Sequence, residues 1–249
     1  MPDSYARTIQ RLTESGSIRV WSLLVTVFGD LAPDRPLDGP TLSLIMAQIG
    51  IKPEATRVAL HRLRSDGWII SQKNGRTSHH SLTAKGQRDS AAARPRIYGR
   101  PSDMSSKAHM VMIQMPRTDL DPAQFAHVSD RVFLSNDTTP IPANAMYLTP
   151  TDLPTWLGEQ HENADLREGY RVLHDVLCDI DTDAPSLTPL DIAVLRVMVV
   201  HAWRRLTLKH PDLPRSAHST DWRGHDCRVR VTEVLDRFAR PALDAIKAR

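Results

Sequence analysis

Residues 41–83 read TLSLIMAQIGIKPEATRVALHRLRSDGWIISQKNGRTSHHSLT, and the order of signals along them decides the fold. Gly39-Pro40 stops whatever precedes, and the Thr41 hydroxyl offers a cap for a first helix. Leu42, Ile45, Met46 and Ile49 recur at helical spacing and give that helix one apolar stripe. Gly50 suits a left-handed stop, and Pro53 opens a second helix over residues 53–65, where its missing N–H costs nothing. Asp66-Gly67 is a turn signal ahead of a strand begun by Trp68-Ile69-Ile70. Asn74-Gly75 signals a hairpin, with a type I′ turn that needs positive φ at both central residues, and residues 76–82 return as the second strand. Helix, tight turn, helix and hairpin in this order predict a winged helix-turn-helix.

On a wheel of 100° per residue, Ala55, Ala59 and Leu63 of the second helix share one side, with Thr56 and Leu60 at its edge. Glu54, Arg57, His61 and Arg64 share the other. Small residues on the inward side allow close approach to a neighbouring helix. The outward side carries donors for base edges and phosphates, and in a helix-turn-helix the second helix enters the major groove. Arg57 is the first choice for base reading, because Arg binds guanine through two hydrogen bonds. The candidate DNA contacts are Lys52 just before this helix, Arg57, His61, Arg62 and Arg64 on it, and Lys73 and Arg76 at the hairpin tip. A solvated charged face is the plainer reading of such a helix taken alone. His79 and His80 are adjacent strand residues that point to opposite faces, so they predict no metal site.

The chain has 249 residues, 41% hydrophobic and 24% charged, which suits two or three modest soluble domains. Residues 1–100 hold fifteen Lys and Arg against eight Asp and Glu, a net of +7. The remainder holds seventeen against twenty-one, a net of −4. A basic first part joined to an acidic remainder predicts that only the first meets a polyanion. Cys178 and Cys227 lie far apart with no CxxC, so neither a disulfide nor secretion is expected, and the location expected is cytoplasmic. No apolar run is long enough for a membrane span.

Residues 1–16 are polar and read as extended or weakly helical. Ser17 is placed to cap a helix with Ile18, Trp21, Val25 and Phe28 in a stripe and Leu24 beside it, ending near Leu31. Residues 84–97 read as an Ala-rich connector or short helix, on which Arg88, Arg94, Arg96 and Arg100 are further candidates for phosphate contact. HMVMIQM at 109–115 and AMYLT at 145–149 read as strands, and residues 121–132 have helical spacing through Phe125, Val128 and Val132. Leu166, Tyr170, Leu173, Leu177 and Ile180 mark a helix, residues 183–189 break it, and Thr188-Pro189-Leu190-Asp191 starts another, central one. Cys227, Val231, Val234 and Phe238 define a last helix ending at Pro241.

Several stretches resemble one known family. VWSLLVTVFGDL, IGIKPEATRVALHRLRSDGWI and GRTSHHSLTAKG are similar to the N-terminal domain of the PaaX-type repressors of phenylacetate catabolism, and LRVMVVHAWRRLTLKHPDLP with the following DWRG is similar to their C-terminal domain. Lys52 departs from the Ser-like cap expected before the recognition helix. The resemblance implies a mainly α protein with α/β parts. Residues 1–85 form a winged helix-turn-helix, 86–100 a connector, 101–160 a small ferredoxin-like middle domain with little room for its last strand, and 161–249 a helical domain for dimerisation and effector binding. It also implies a homodimer on an inverted-repeat operator in double-stranded DNA. The effector implied is phenylacetyl-CoA or a related acyl-CoA thioester, with no metal or other cofactor.

A CoA ligand brings phosphates and a pantetheine arm, so Arg and aromatic residues near a helical cleft are reasonable contacts. The candidates are Arg196, Trp203, Arg204, Arg205, Trp222 and Arg223, each with a packing role as its alternative. No GxSxG, P-loop, HExxH or GxGxxG occurs, and His161-Glu162 and His174-Asp175 read as surface pairs, so no enzyme is predicted. The alternative to DNA binding is a winged helix that binds another protein.

Overall fold

The computed structural model describes residues 2–115, 120–136, 138–180 and 187–247. Most of the expected break at 183–189 lies outside these. The chain divides into two compact units, the first from Met1–Pro95, Asp175–Ala202 and Val231–Arg249, the second from Arg96–His174 and Trp203–Arg230. Residues 161–249 are therefore shared between the two units. Among the described residues it is a mixed protein of helices with two small antiparallel sheets.

In the first unit, residues 2–14 form a full helix where their polarity suggests an extended or weakly helical chain. Helix α1 spans Pro2–Glu14, with Ile9 and Leu12 buried. Helix α2 spans Val20–Leu31, and its N-cap is Arg19 rather than Ser17, with no cap hydrogen bond from the Arg19 side chain. Its buried stripe is Leu23, Leu24, Val27, Phe28 and Leu31, rotated from the one expected. Trp21 is only half-buried.

A short strand β1, Leu37–Asp38, leads into α3, Gly39–Gln48. Asp38, not Thr41, caps α3: its carboxylate accepts from the Thr41 backbone N–H at 3.0 Å and the Thr41 hydroxyl at 2.9 Å. Gly39-Pro40 is thus the first turn of the helix, where proline is tolerated. Helix α4 spans Pro53–Ser65 as expected, and its N-cap Lys52 gives no side-chain hydrogen bond. Both helices close alike. Ile51 N–H donates to Met46 and Trp68 N–H to Leu63, across Gly50 and Gly67 at positive φ.

Strands β2, Ile69–Asn74, and β3, Thr77–Leu82, pair antiparallel, and β1 adds to the outer side of β3. Asn74 opposes Thr77, so the two-residue loop is Gly75-Arg76. Gly75 has φ +60 and no non-glycine residue among those described has positive φ, which makes the turn type II′ rather than I′, one residue on from the expected place. Helix α5 spans Ala84–Tyr98, so the expected connector is a full helix.

The second unit holds strands β4, Ala108–Ile113, β5, Ala126–Ser129, β6, Val132–Asn136, and β7, Ala145–Leu148, in the order β5-β6-β4-β7 and all antiparallel. The helix expected at 121–132 is a turn at residues 122–124 followed by β5 and the start of β6. A register shift between His127 and Ser129 interrupts the two-residue alternation of β5, and this spreads the apolar positions to mimic a helical period. No helix separates these strands among the described residues, so the expected βαββαβ pattern is not followed.

Side chains of the sheet alternate between two clusters. Ala108, Ala126 and Leu134 meet Leu157, Leu213 and Ala217 on one face, and Val111, Ile113, Phe125 and Phe133 cluster on the other. Helix α6, Thr155–His161, follows, then α7, Ala164–Cys178. Helix α8, Pro189–Thr207, begins where expected: Asp191 N–H donates to the Thr188 hydroxyl, which donates to the Asp191 carboxylate. Helices α9, Gly224–Arg237, and α10, Leu243–Lys247, close the chain. No described helix is long and apolar enough to cross a membrane.

Candidate nucleic-acid interface

Helix α4 buries Thr56, Ala59 and Leu63 and leaves Glu54, Arg57, Val58, His61, Arg62, Arg64 and Ser65 exposed. The exposed set spans one side of the wheel, as the sequence requires. Arg57 and Glu54 form a loose pair at 3.3 Å, both about 70% exposed, so either can be recruited by a ligand at little cost. Val58, 71% exposed, is an outward apolar side chain among these charges, not anticipated from the wheel. Its signal was present, one position beyond Arg57, but a lone exposed valine is ordinary on a surface.

Arg62 stands apart from the other cations. Its guanidinium lies over the Trp21 ring of α2, 5.0 Å from the centroid, and 3.8 Å from Asp66. It therefore ties α4 to α2, a role its position in the sequence did not indicate. Arg64 is exposed beside His80, which it helps to hold below the ordinary histidine range, although burial of the ring is the larger cause. His80 meets the Ser71 hydroxyl at 2.7 Å inside the hairpin. Lys52, Lys73 and Arg76 are all exposed. Between α3, α4 and β3 lies a cleft of about 390 Å³ whose wall includes Ser43, Ala47, Arg57, Arg64 and Ser78.

The six residues picked for an effector are not brought together within one unit: Arg196 belongs to the first and the other five to the second. Arg196 is 5% exposed and holds Asp30 in a two-pronged pair, with its remaining donors on the Leu235 and Phe238 carbonyls. Trp203 is buried, its indole N–H donating to the Ile97 carbonyl at 3.0 Å. Trp222 is buried and stacked on His218 at 4.4 Å. These three are packing residues as they stand, which corrects the expectation for them. Arg204 and Arg205 are half-buried, and desolvation holds both below the usual arginine range. Arg223 pairs with Asp226 at 3.1 Å.

Two further expectations are corrected in the second unit. Arg96 turns inward and donates to the Ala123 carbonyl at 3.0 Å and to the Thr207 and His210 carbonyls, so it is no phosphate contact. Glu162 is 4% exposed, not a surface residue. Burial pushes its carboxyl up, but hydrogen bonds from His218 and Ser219 outweigh that and hold it below the usual range. His218 is held low by burial, against the pull of Glu162.

With the geometry in place, the relatives are informative. A family profile described as "PaaX-like protein" matches residues 19–86, and one for the "PaaX-like protein C-terminal domain" matches residues 161–248. The fold and the exposed basic helix define a mixed α/β protein with a cationic helix and hairpin at one end of the chain. The chain belongs to the PaaX-like family. It is 25% identical to the transcriptional repressor PaaX of Escherichia coli (strain K12), over 94% of this chain and 85% of that one. Its fold is similar to that of an uncharacterised protein of Mycobacterium tuberculosis, Rv0674, with a TM-score of 0.57 and 21% identity, over 93% of this chain and all of the other.

Proposed function

We propose that the protein is a DNA-binding transcriptional repressor whose winged helix-turn-helix comprises α3, α4 and the β2–β3 wing. The observation that carries this reading is the joint exposure of Arg57, His61 and Arg64 on one face of α4, with Lys73 and Arg76 exposed on the hairpin. In the major groove Arg57 reads guanine through two hydrogen bonds, and Glu54, released from it, accepts from cytosine. Lys73 and Arg76 neutralise phosphates of the adjacent backbone. The repressor function printed for the Escherichia coli relative supports the same role.

The repressor acts as a homodimer on an inverted repeat, since two symmetry-related recognition helices need half-sites one helical turn apart. A CoA thioester, phenylacetyl-CoA or a related acyl-CoA, releases it. Arg204, Arg205 and Arg223 remain the candidates for its phosphates, and the action on DNA sets the location as cytoplasmic. Selection of binding sites from a random duplex pool tests the DNA-binding part: an enriched inverted repeat is expected, and a pool left without any consensus would refute it. Release of the selected duplex by phenylacetyl-CoA, with free phenylacetate inert, tests the effector; release by neither, nor by other acyl-CoA thioesters, rules that class out.

A further inference from the structure

His161 is the last residue of α6, Glu162 follows it, and His218 ends the short helical turn Arg215–Ala217. They are 56 residues apart in sequence and meet because α6 carries glycine at 158. A Cβ there would lie 2.5 Å from the Ser219 nitrogen and 2.7 Å from the His218 carbonyl carbon, so any other residue would push the two segments apart. The result is two imidazoles and one carboxylate whose ligand atoms all lie within 4.8 Å of one another. His218 Nδ1 is 2.8 Å from Glu162 Oε1, and His161 Nε2 is 2.8 Å from the Ala217 carbonyl oxygen.

Glu162 is an unusual buried acid. Its side chain is fully enclosed, yet its partners among the described residues are His218 and Ser219, with no Lys or Arg. Buried carboxylates are normally paired with a guanidinium or ammonium, or they coordinate a metal. Beside them, both ring nitrogens of His225 are buried without a well-formed hydrogen bond, its ring 5.3 Å from that of His218. His161 is half-exposed, which leaves the group an entry path.

We propose that His161, Glu162 and His218 bind one divalent transition-metal ion of the zinc class. Two histidines and a carboxylate are a ligand set that zinc and its neighbours accept, and nitrogen and oxygen donors without thiolate disfavour the softer monovalent ions. The ion takes the place of the hydrogen that His218 Nδ1 shares with Glu162, and the imidazole proton moves to Nε2. His161 exchanges the Ala217 carbonyl for the ion. The Ser219 N–H, 3.0 Å from Glu162, and the Ser219 hydroxyl hold the carboxylate in place from outside the ligand set. Three protein ligands leave one position for water. Bound there, the ion joins the end of α6 to the 215–219 segment.

The test uses tag-free full-length protein stripped with chelator. Titration with zinc, read by elemental analysis and by melting temperature, is expected to give about one ion per chain and a rise of several degrees. Magnesium and calcium are expected to give no rise. The His161→Ala variant, altered at a half-exposed position, is expected to keep the stripped protein's melting temperature and to lose ~100-fold or more in zinc affinity. Glu162→Gln provides the second reading if that variant is unstable. Absence of stoichiometric zinc in the wild type, or an unchanged zinc response in both variants, would overturn the site and leave a hydrogen-bonded cluster.

Discussion

Asp30 and Arg196 form a buried two-pronged ion pair inside the first unit, with guanidinium–carboxylate distances of 2.9 and 3.1 Å and Asp30 wholly enclosed. The remaining Arg196 donors reach the Leu235 and Phe238 carbonyls at the C-terminal end of α9, where a cation also meets the negative end of the helix dipole. Removing Arg196 takes the counter-ion from a carboxylate that is wholly enclosed. Arg196→Ala is therefore expected to cost about 3–5 kcal/mol of stability, measured by urea unfolding. A Met or Leu pair in place of both residues should cost far less. An Arg196→Ala variant as stable as the wild type would show that the pair is not the anchor described.

Acid should destabilise the second unit through its buried histidines. Burial pushes His210 down to about 3 and His225 down to about 4. His210 suits a neutral ring: one nitrogen meets the Pro211 carbonyl and the other the Tyr170 hydroxyl, both at 2.7 Å. Below the unfolded value of about 6.5 the unfolded chain takes up protons that the folded one does not. Stability therefore falls as pH drops from about 6.5 toward the folded values, on the order of 2 kcal/mol per histidine by pH 5. Urea unfolding in chelator at pH 7, 6 and 5 measures it, and His210→Gln should flatten the profile by close to one proton's worth.

The uncapped start of α4 predicts a gain. Lys52 occupies the N-cap without a side-chain hydrogen bond, and Ser there would reach the free N–H groups of the first turn. Lys52→Ser should add about 1 kcal/mol to stability while slightly weakening DNA binding through loss of a cation. Unfolding and binding titrations on the same preparation separate the two effects. A loss of stability would mean the first turn is satisfied in another way.

Arg62 and Arg64 lie two residues apart but should behave differently. Arg62→Ala removes the cation over Trp21 and is expected to cost about 0.5–1 kcal/mol of stability with a small effect on DNA affinity. Arg64→Ala should weaken DNA binding and leave the melting temperature within a degree or two. The reverse pattern would mean that the helix presents a different face to the duplex.

What could be read from the sequence was what depends on neighbours in the chain. Gly50, Pro53, Gly67 and the Thr188–Asp191 start act within a turn or two, so their elements appear where local chemistry puts them. The hairpin was legible but its turn was misplaced by one residue, because Asn74-Gly75 and Gly75-Arg76 both supply glycine and only the register distinguishes them. The bulged strand β5 was hidden because its shift breaks the alternation that marks a strand. The outward face of α4 was legible because helical geometry fixes it. The inward turn of Arg96 and the burial of Glu162, Arg196 and Trp203 were not, since each depends on partners from 27 to 166 residues away. Composition alone reads such arginines as surface or ligand-binding.

Contact between the α4 face and duplex DNA is measured most directly by fluorescence anisotropy with a selected inverted-repeat duplex across a series of salt concentrations. The account predicts that log affinity falls linearly and steeply with log salt, by roughly 0.9 for each phosphate neutralised. It further predicts that Arg57→Ala costs about 1–3 kcal/mol on the selected site and little on a random duplex. Affinity indifferent to salt, or Arg57→Ala and Arg64→Ala variants that bind like the wild type, would contradict it.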